Sequence, residues 1–233
     1  MVDERTGDET DRMRVRARDR FAAGEVVPEV AVGHGGRWGI SAIFRLPGQV
    51  RHDVAGLARQ VGAVAGPGHW IHDADSLHLT ICTFEPHRPG VSPTDRRVRM
   101  FGAALRAAAT GLPAVRLVLR GVGPHPRGVA VLAHPEDDTA DTLRRRIDSS
   151  LRAGSGSDRP GPSVSRLARD WYVNLVHFAA PAIDVGAVLT WCDDQGEAEL
   201  GSVVLPAAEL VRWDAKGGTV RPVPLDRVEL TGG

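Results

Sequence analysis

Cysteine and lysine are scarce in this sequence. The scarcity of cysteine excludes a disulfide-rich protein, and the scarcity of lysine limits what the arginines can indicate. The 233 residues include two cysteines, Cys82 and Cys192. Two are too few for a disulfide framework, and neither belongs to the closely spaced cysteine pairs typical of metal sites. Of the 29 basic residues only Lys216 is a lysine, which indicates a composition bias toward arginine. Scattered arginines therefore carry little information about function.

Long apolar runs and an excess of charge of one sign are also missing. No stretch approaches the ~20 apolar residues that span a bilayer, and no apolar segment follows basic residues at the N-terminus as in a signal peptide. The 29 basic and 29 acidic residues give a formal net charge of zero, whereas duplex-DNA-binding proteins usually carry a basic excess. We therefore expect a cytoplasmic protein that binds neither membranes nor duplex DNA.

The pattern of apolar residues predicts a globular chain with an N-terminal extension. Hydrophobic residues make up 42% of the chain and charged residues 25%, as in ordinary soluble domains. Residues 1–33 are rich in alternating acids and arginines and are expected to form a flexible tail. Residues 34–233 are expected to form one domain with two lobes, at about 37–122 and 128–230, with the chain ends crossing between them.

The same order of elements occurs twice along the chain. Alternating apolar residues predict strands over 38–45, 77–84 and 171–178, and apolar residues at helical spacing predict helices over 94–110 and 139–151. In the first half, the strand that leads to Pro47 is followed by a helix and by a second strand whose residue His78 lies 31 residues after that proline. In the second half, the strand that leads to Pro135 is followed by a helix and by a second strand whose residue Tyr172 lies 37 residues after that proline. We therefore predict an α+β fold in which two duplicated strand–helix–strand lobes surround a central cleft about a pseudo-two-fold axis.

Alternation along the second strand of lobe one indicates which side chains reach this cleft. Successive residues of a strand point to opposite faces of the sheet. Leu79 and Ile81 are apolar and are assigned to the core. His78, Thr80 and Cys82 then point together into the cleft.

The matching strand of lobe two carries a second polar pair at the same spacing. Val173 and Leu175 are assigned to the core, so Tyr172 and Asn174 face the cleft. Strict alternation assigns His177 to the core side. Two polar pairs on matching strands of matching lobes predict a shared site.

The segment His78-Leu79-Thr80 resembles the first His-x-Thr motif of the 2H phosphoesterase superfamily. This superfamily includes the 2′-5′ RNA ligase-like and cyclic phosphodiesterase proteins. The first strand, ending in Phe44-Arg45-Leu46-Pro47, and the closing strands over 220–230 are similar to the layout of that family. The resemblance covers about residues 37–230. It implies that each lobe supplies one His-x-Thr or His-x-Ser motif and that no metal or other cofactor takes part.

The second motif departs from that family. The resemblance implies that one histidine deprotonates the attacking oxygen, the other protonates the leaving oxygen, and two hydroxyl groups bind the phosphate. Here Tyr172 replaces the second histidine, and Asn174 replaces the hydroxyl residue. Imidazole titrates near pH ~6.5 and serves as base or acid, whereas a phenol with a pKa of ~10 is a poor base at neutral pH. Asn174 still offers N–H donors to a phosphate.

Three further residues are candidates for substrate contact. Arg45 offers a guanidinium fork for phosphate, although a cation at a strand end is equally consistent with a solvated surface position. Trp38 and Cys82 complete the set. A metal site built from His69, His72 and His78 with Asp73 and Asp75 lacks a closed set of ligands at familiar spacing, so no metal is expected.

The resemblance, taken with these residues, implies a metal-independent hydrolase, which we expect to be a monomer. The expected partner is a nucleotide, an RNA end or a small phosphorylated molecule, and the expected substrate bond is a 2′,3′-cyclic phosphate or a 2′-5′ linkage. His78 acts as the general base in this hypothesis, with Tyr172 as the opposite donor and Thr80 and Asn174 on the phosphate. Two alternatives remain open: a nucleotide-binding protein without turnover, and an enzyme that uses the same cleft for another small-molecule biosynthetic reaction.

Overall fold

A computed structural model describes residues 15–30, 32, 37–154, 170–216, 219–230 and 232. Helix α1 spans residues 15–22 within this part of the chain. The other helices are α2 (Gly48–Ala65), α3 (Arg96–Ala109), α4 (Thr139–Gly154) and α5 (Val185–Asp194). The strands are β1 (Ser41–Arg45), β2 (Trp70–Ile71), β3 (His78–Thr83), β4 (Val115–His125), β5 (Gly128–Pro135), β6 (Trp171–His177), β7 (Glu199–Leu205), β8 (Ala207–Lys216) and β9 (Thr219–Glu229). The predicted helices over 94–110 and 139–151 are confirmed as α3 and α4.

All strands join one antiparallel sheet in the order β7-β4-β5-β6-β3-β1-β8-β9, with β2 also paired to β6. The middle of the sheet is the junction of β3 and β6, where Leu79 pairs with Val173. Four strands lie on each side of this junction, so the two-lobed α+β architecture is confirmed. β4 pairs with β5 in lobe two, although its range was predicted to belong to lobe one, and the C-terminal strands β8 and β9 cross to pair with β1 in lobe one.

Helices α2–α5 pack on one face of the sheet. The main apolar cluster joins buried residues of α2–α5 to core-facing strand residues such as Phe44, Leu79 and Val173. A second, smaller cluster of Ile43, Val211, Trp213 and Val220 lies apart from it. We call the side of the sheet opposite α2–α5 the groove face. None of the helices in the described ranges combines the length and hydropathy needed to cross a membrane.

Residues 15–30 pack against lobe two, which differs from the predicted flexible tail. Phe21 is 0% exposed and stacks on Phe178, with ring centroids 5.4 Å apart. The Val27 N–H donates to the Pro126 carbonyl at 2.7 Å. A single buried aromatic within a charged stretch leaves little hydrophobic periodicity, which is why the sequence pattern indicated a solvated segment. The first 14 residues of the predicted tail lie outside the described residues.

An arginine from α4 lies at the boundary between the two lobes. Arg144 Nε donates to the Ile81 carbonyl at 2.9 Å, and its Nη2 donates to the Thr80 carbonyl at 3.0 Å. The guanidinium carbon lies 3.3 Å from the ring centroid of Trp171 on β6. Arg144 thus binds β3 through hydrogen bonds and β6 through a cation–π contact. Burial lowers the pKa of Arg144 to about 10, which leaves it charged at neutral pH.

Candidate active site at the junction of the lobes

His78 lies at the start of β3 with its imidazole in a defined tautomer. Its Nδ1 is 2.8 Å from the Ser76 carbonyl oxygen, and because a carbonyl only accepts, Nδ1 carries the proton and Nε2 a lone pair. The ring packs on Trp213 at 4.6 Å and is 6% exposed. Burial, followed by the charge of Arg45, lowers the pKa of His78 to about 4. The imidazole is therefore neutral at pH 7 and able to accept a proton.

A hydrogen-bonded turn positions the carbonyl that orients His78. The Asp73 carboxylate accepts hydrogen bonds from the backbone N–H groups of Asp75 and Ser76, at 3.1 and 2.9 Å. An ion pair with Arg221 from β9 holds the same carboxylate. His72 Nδ1 lies 3.1 Å from the Ser76 hydroxyl. These polar side chains therefore shape the approach to β3 through an Asx turn.

The histidine and acidic residues considered for a metal site have structural partners. His69 Nε2 lies 3.2 Å from the Ala65 carbonyl oxygen, so Nε2 donates and Nδ1 accepts from the Ala179 and Ala180 N–H groups. Across the part of the chain that the structure describes, no group of three His, Cys, Asp or Glu residues is placed to hold a metal ion.

A β-bulge interrupts β3 after its polar pair. Ala42 pairs with Cys82, whereas the next residue of β1, Ile43, pairs with Thr80. Ile81 is therefore the extra residue on β3, and an extra residue reverses the alternation beyond it.

This bulge overturns the prediction that Cys82 faces the cleft. Cys82 belongs to the main apolar cluster, and burial raises the pKa of its thiol to about 12. Thr83 turns to the groove face instead, where its Oγ1 lies 3.2 Å from the Ser41 hydroxyl. A buried thiol with a raised pKa is neither a nucleophile nor a contact for substrate.

A second bulge occurs at the matching place in β6. Val129 pairs with Val176, whereas the next residue, Ala130, pairs with Asn174, so Leu175 is the extra residue. Ile81 is three residues after His78, and Leu175 is three residues after Tyr172. The two lobes therefore repeat the bulge as well as the strand, and His177 is the counterpart of Thr83.

The bulge in β6 corrects the assignment of His177 to the core side. Its ring lies 5.1 Å from Trp38 and 5.2 Å from His72, measured between ring centroids. Its Nδ1 lies 3.7 Å from a carboxylate oxygen of Glu29, which also pairs with Arg37. Burial, followed by the neighbouring histidines and Arg37, holds the pKa of His177 well below its ordinary value. Sequence reasoning missed Glu29, because it lies in the stretch assigned to a tail.

Tyr172 and Asn174 lie on the groove face, beside the polar pair of β3. The Leu79–Val173 pair places Asn174 opposite His78 and Tyr172 opposite Thr80 across the two strands. Tyr172 is 36% exposed, and partial burial raises its pKa above the ordinary value. Its hydroxyl therefore stays protonated through the neutral range. All four predicted catalytic residues meet at one place on the sheet.

His125, the last residue of β4, orients Asn174. The Arg127 N–H donates to His125 Nδ1 at 3.3 Å, so Nε2 carries the ring proton and donates to Asn174 Oδ1 at 3.0 Å. Burial lowers the pKa of His125 to about 4, which keeps the ring neutral. The amide nitrogen of Asn174 is thereby left to donate elsewhere.

Arg45 and Trp38 also lie near His78, but both have structural contacts. Arg45 Nε pairs with Glu209 at 3.0 Å, and its Nη2 donates to the Pro222 carbonyl at 3.4 Å. Trp38 has a φ of 61°, in the left-handed region that non-glycine residues rarely adopt. Its ring packs on Trp213 at 5.2 Å and helps to line a cavity of about 330 Å³ in lobe one.

Comparison with known proteins identifies the fold. No family model and no curated protein matches the chain. TT0787 of Thermus thermophilus is similar in structure, with a TM-score of 0.64 and 19% identity. E. coli LigT complexed with 3′-AMP has a TM-score of 0.54 and 18% identity, and a protein described as a phosphoesterase has 0.53 and 19%. Each comparison covers 83% of this chain and 98% of the other. The chain shares the fold of TT0787 and of E. coli LigT, as the resemblance implied.

Proposed function

We propose that this chain, whose fold is shared with LigT, is a phosphoesterase acting without a metal ion. The expected substrates are nucleotides or RNA ends that carry a 2′,3′-cyclic phosphate or a 2′-5′ linkage. The observation that carries the proposal is the neutral His78 imidazole, held by the Ser76 carbonyl with its Nε2 lone pair available. Hydrogen-bond donors for a phosphate lie next to it on β3 and β6.

The proposed step is an in-line displacement at phosphorus with one proton-transfer group on each side. His78 Nε2 takes a proton from the attacking water as the new P–O bond forms. The P–O bond to the ribose oxygen breaks, and the Tyr172 hydroxyl gives that oxygen its proton. Proton transfer through solvent from His78 to the tyrosinate restores both groups. A tyrosine with a raised pKa fits the donor role, because it still carries its proton at neutral pH.

Two neighbouring side chains would stabilise the charge that develops on phosphate. The Thr80 hydroxyl is exposed on the groove face, and the Asn174 amide donates because His125 occupies its oxygen. Donors aimed at an oxyanion contribute about 10²–10³-fold each. The groove therefore combines a base, an acid and two phosphate donors from neighbouring strands.

A substrate panel tests this proposal directly. We expect the wild-type protein, with chelator present, to hydrolyse one or more 2′,3′-cyclic nucleotides or 2′-5′ dinucleotides. Tyr172→Phe is expected to lower kcat by about 10²-fold, whereas Tyr172→His is expected to retain turnover. Wild-type inactivity on the whole panel, with activity appearing only in Tyr172→His, would instead favour the binding protein or an enzyme for another reaction. The specific observation behind those alternatives is the replacement of the second histidine by Tyr172.

The orienting role of His125 gives a second prediction. We expect His125→Phe to lower kcat about tenfold with a smaller change in KM, since it loses one hydrogen bond of about 1–1.5 kcal/mol that orients Asn174. His125→Gln, whose amide also donates, is expected to recover part of the loss. His134→Phe is the matched control, because His134 bonds the Arg120 carbonyl away from Asn174. Equal kcat values in His125→Phe and this control would contradict a positioning role.

A further inference from the structure

A cavity of about 430 Å³ opens on the groove face of lobe two, next to the proposed site. Its lining combines residues of α1 with residues of β4, β5 and β6, among them Arg16, Pro124, His125, Ala130, Leu132 and Tyr172. The volume lies within the range of small-molecule sites. Tyr172 belongs both to this lining and to the proposed catalytic group, so the two regions are continuous.

We propose that this cavity binds the nucleobase of the substrate whose phosphate lies at Thr80 and Asn174. The inference rests on the proposed function. It assigns a binding site to the nucleobase, which Thr80 and Asn174 do not contact when they bind the phosphate. Because a single sugar separates base from phosphate in a nucleotide, one molecule can occupy both regions.

The chemistry of the lining fits a flat aromatic group. Pro124, Ala130 and Leu132 provide an apolar surface. The rings of His125 and Tyr172 lie beside it, with centroids 6.1 Å apart and planes inclined at 48°. Aromatic side chains bind bases by stacking, and an apolar surface gains from covering a base.

Charged side chains of both signs lie in the lining of the cavity. Arg16 and Arg20 line it from α1, and Arg20 Nε bonds Glu25 at 2.7 Å. Asp170 lies in the same lining. Guanidinium groups stack on aromatic planes, so an arginine at the rim also suits a base.

The position of α1 makes the N-terminal segment a determinant of specificity. The segment contributes one wall of the cavity, while Phe21 anchors it on Phe178. The base accepted by the protein would therefore depend on residues far from the catalytic strands in sequence.

Binding measurements on the full chain separate this inference from catalysis. We would titrate the protein with adenosine, 3′-AMP and inorganic phosphate by calorimetry. We expect saturable adenosine binding, and 3′-AMP binding about tenfold or more tighter than phosphate, the scale of stacking one base. Leu132→Trp fills the cavity and is expected to abolish adenosine binding while phosphate binding is unchanged. Val204→Trp, at an exposed position of β7, is the matched control.

A second pair of variants keeps the test decisive if Leu132→Trp fails to fold. Arg16→Ala is expected to weaken adenosine binding several-fold, whereas Arg59→Ala, exposed on α2, is expected to leave it unchanged. Adenosine that does not bind, or that binds equally to the cavity variants and their controls, would overturn the inference even if the protein turns over cyclic phosphates. Adenosine binding that is lost in the cavity variants, in a protein without turnover, would support it while the proposed activity fails.

Discussion

Replacing His78 with alanine is expected to lower kcat/KM on the best substrate of the panel by about 10²- to 10⁴-fold. The hydrogen bond from its Nδ1 to the Ser76 carbonyl leaves Nε2 as the proton acceptor, and alanine supplies no substitute for it. His52→Ala is the matched control, because His52 is exposed on α2 and should leave kcat/KM unchanged. Unaltered turnover in His78→Ala would remove His78 from the mechanism.

The pH dependence of the same reaction identifies the general base. A base works only when unprotonated, so activity is lost as the pH falls through its pKa. Burial and Arg45 lower the pKa of His78 to about 4, and burial holds neighbouring His72 neutral, with a pKa of about 3. We therefore expect the acidic limb of kcat/KM near pH 4 and not near the ~6.5 of free imidazole. A limb near 6.5 that persists in His78→Ala would assign the base elsewhere.

Replacing Phe21 with alanine is expected to lower the free energy of unfolding by about 3–5 kcal/mol. The side chain is fully buried and stacks on Phe178, so its removal loses apolar burial and leaves a cavity. Denaturant unfolding of wild type and variant, followed by circular dichroism, measures the difference in the free energy of unfolding. The comparison requires the same m value, the slope of that free energy against denaturant concentration, in both proteins. In a chain of this size each kcal/mol lowers Tm by about 2–4 °C.

Val15 on the same helix provides the control for this measurement. It is 56% exposed, so Val15→Ala is expected to change the free energy of unfolding by less than about 0.5 kcal/mol. If Phe21→Ala were equally mild, residues 15–30 would be a loosely attached segment. The α1 wall of the proposed base site would then lose its structural support.

The four proposed catalytic residues could be read from the sequence because the strands are regular where these residues lie. His78 and Thr80, like Tyr172 and Asn174, precede the bulges, so simple alternation assigns them correctly to one face. Beyond Ile81 and Leu175 the same rule fails for Cys82 and His177. Isoleucine and leucine are ordinary strand residues, and nothing in the local sequence indicates that a β-bulge occurs at these positions.

The division of the chain into lobes shows a similar limit. Periodicity predicts individual strands, but not which edge of the sheet each one joins. Strand pairing depends on partners far away in sequence and on which apolar surfaces remain to be covered. For that reason β4 lies in lobe two, although sequence order placed it in lobe one, and the β8–β9 hairpin lies in lobe one.

By itself the sequence determined the two strand–helix–strand units and the polar pair in each, because hydrophobic periodicity reports how neighbouring residues face a core. The tertiary structure alone decided the surroundings of those pairs. His125 orients Asn174 from 49 positions away, and Arg18 fastens α1 to Asp193 across 175 positions. Such contacts depend on how distant elements pack, and no local pattern encodes them. The tautomers of the histidines in the groove, the buried charged groups and the adjoining cavity are therefore defined only in the folded chain.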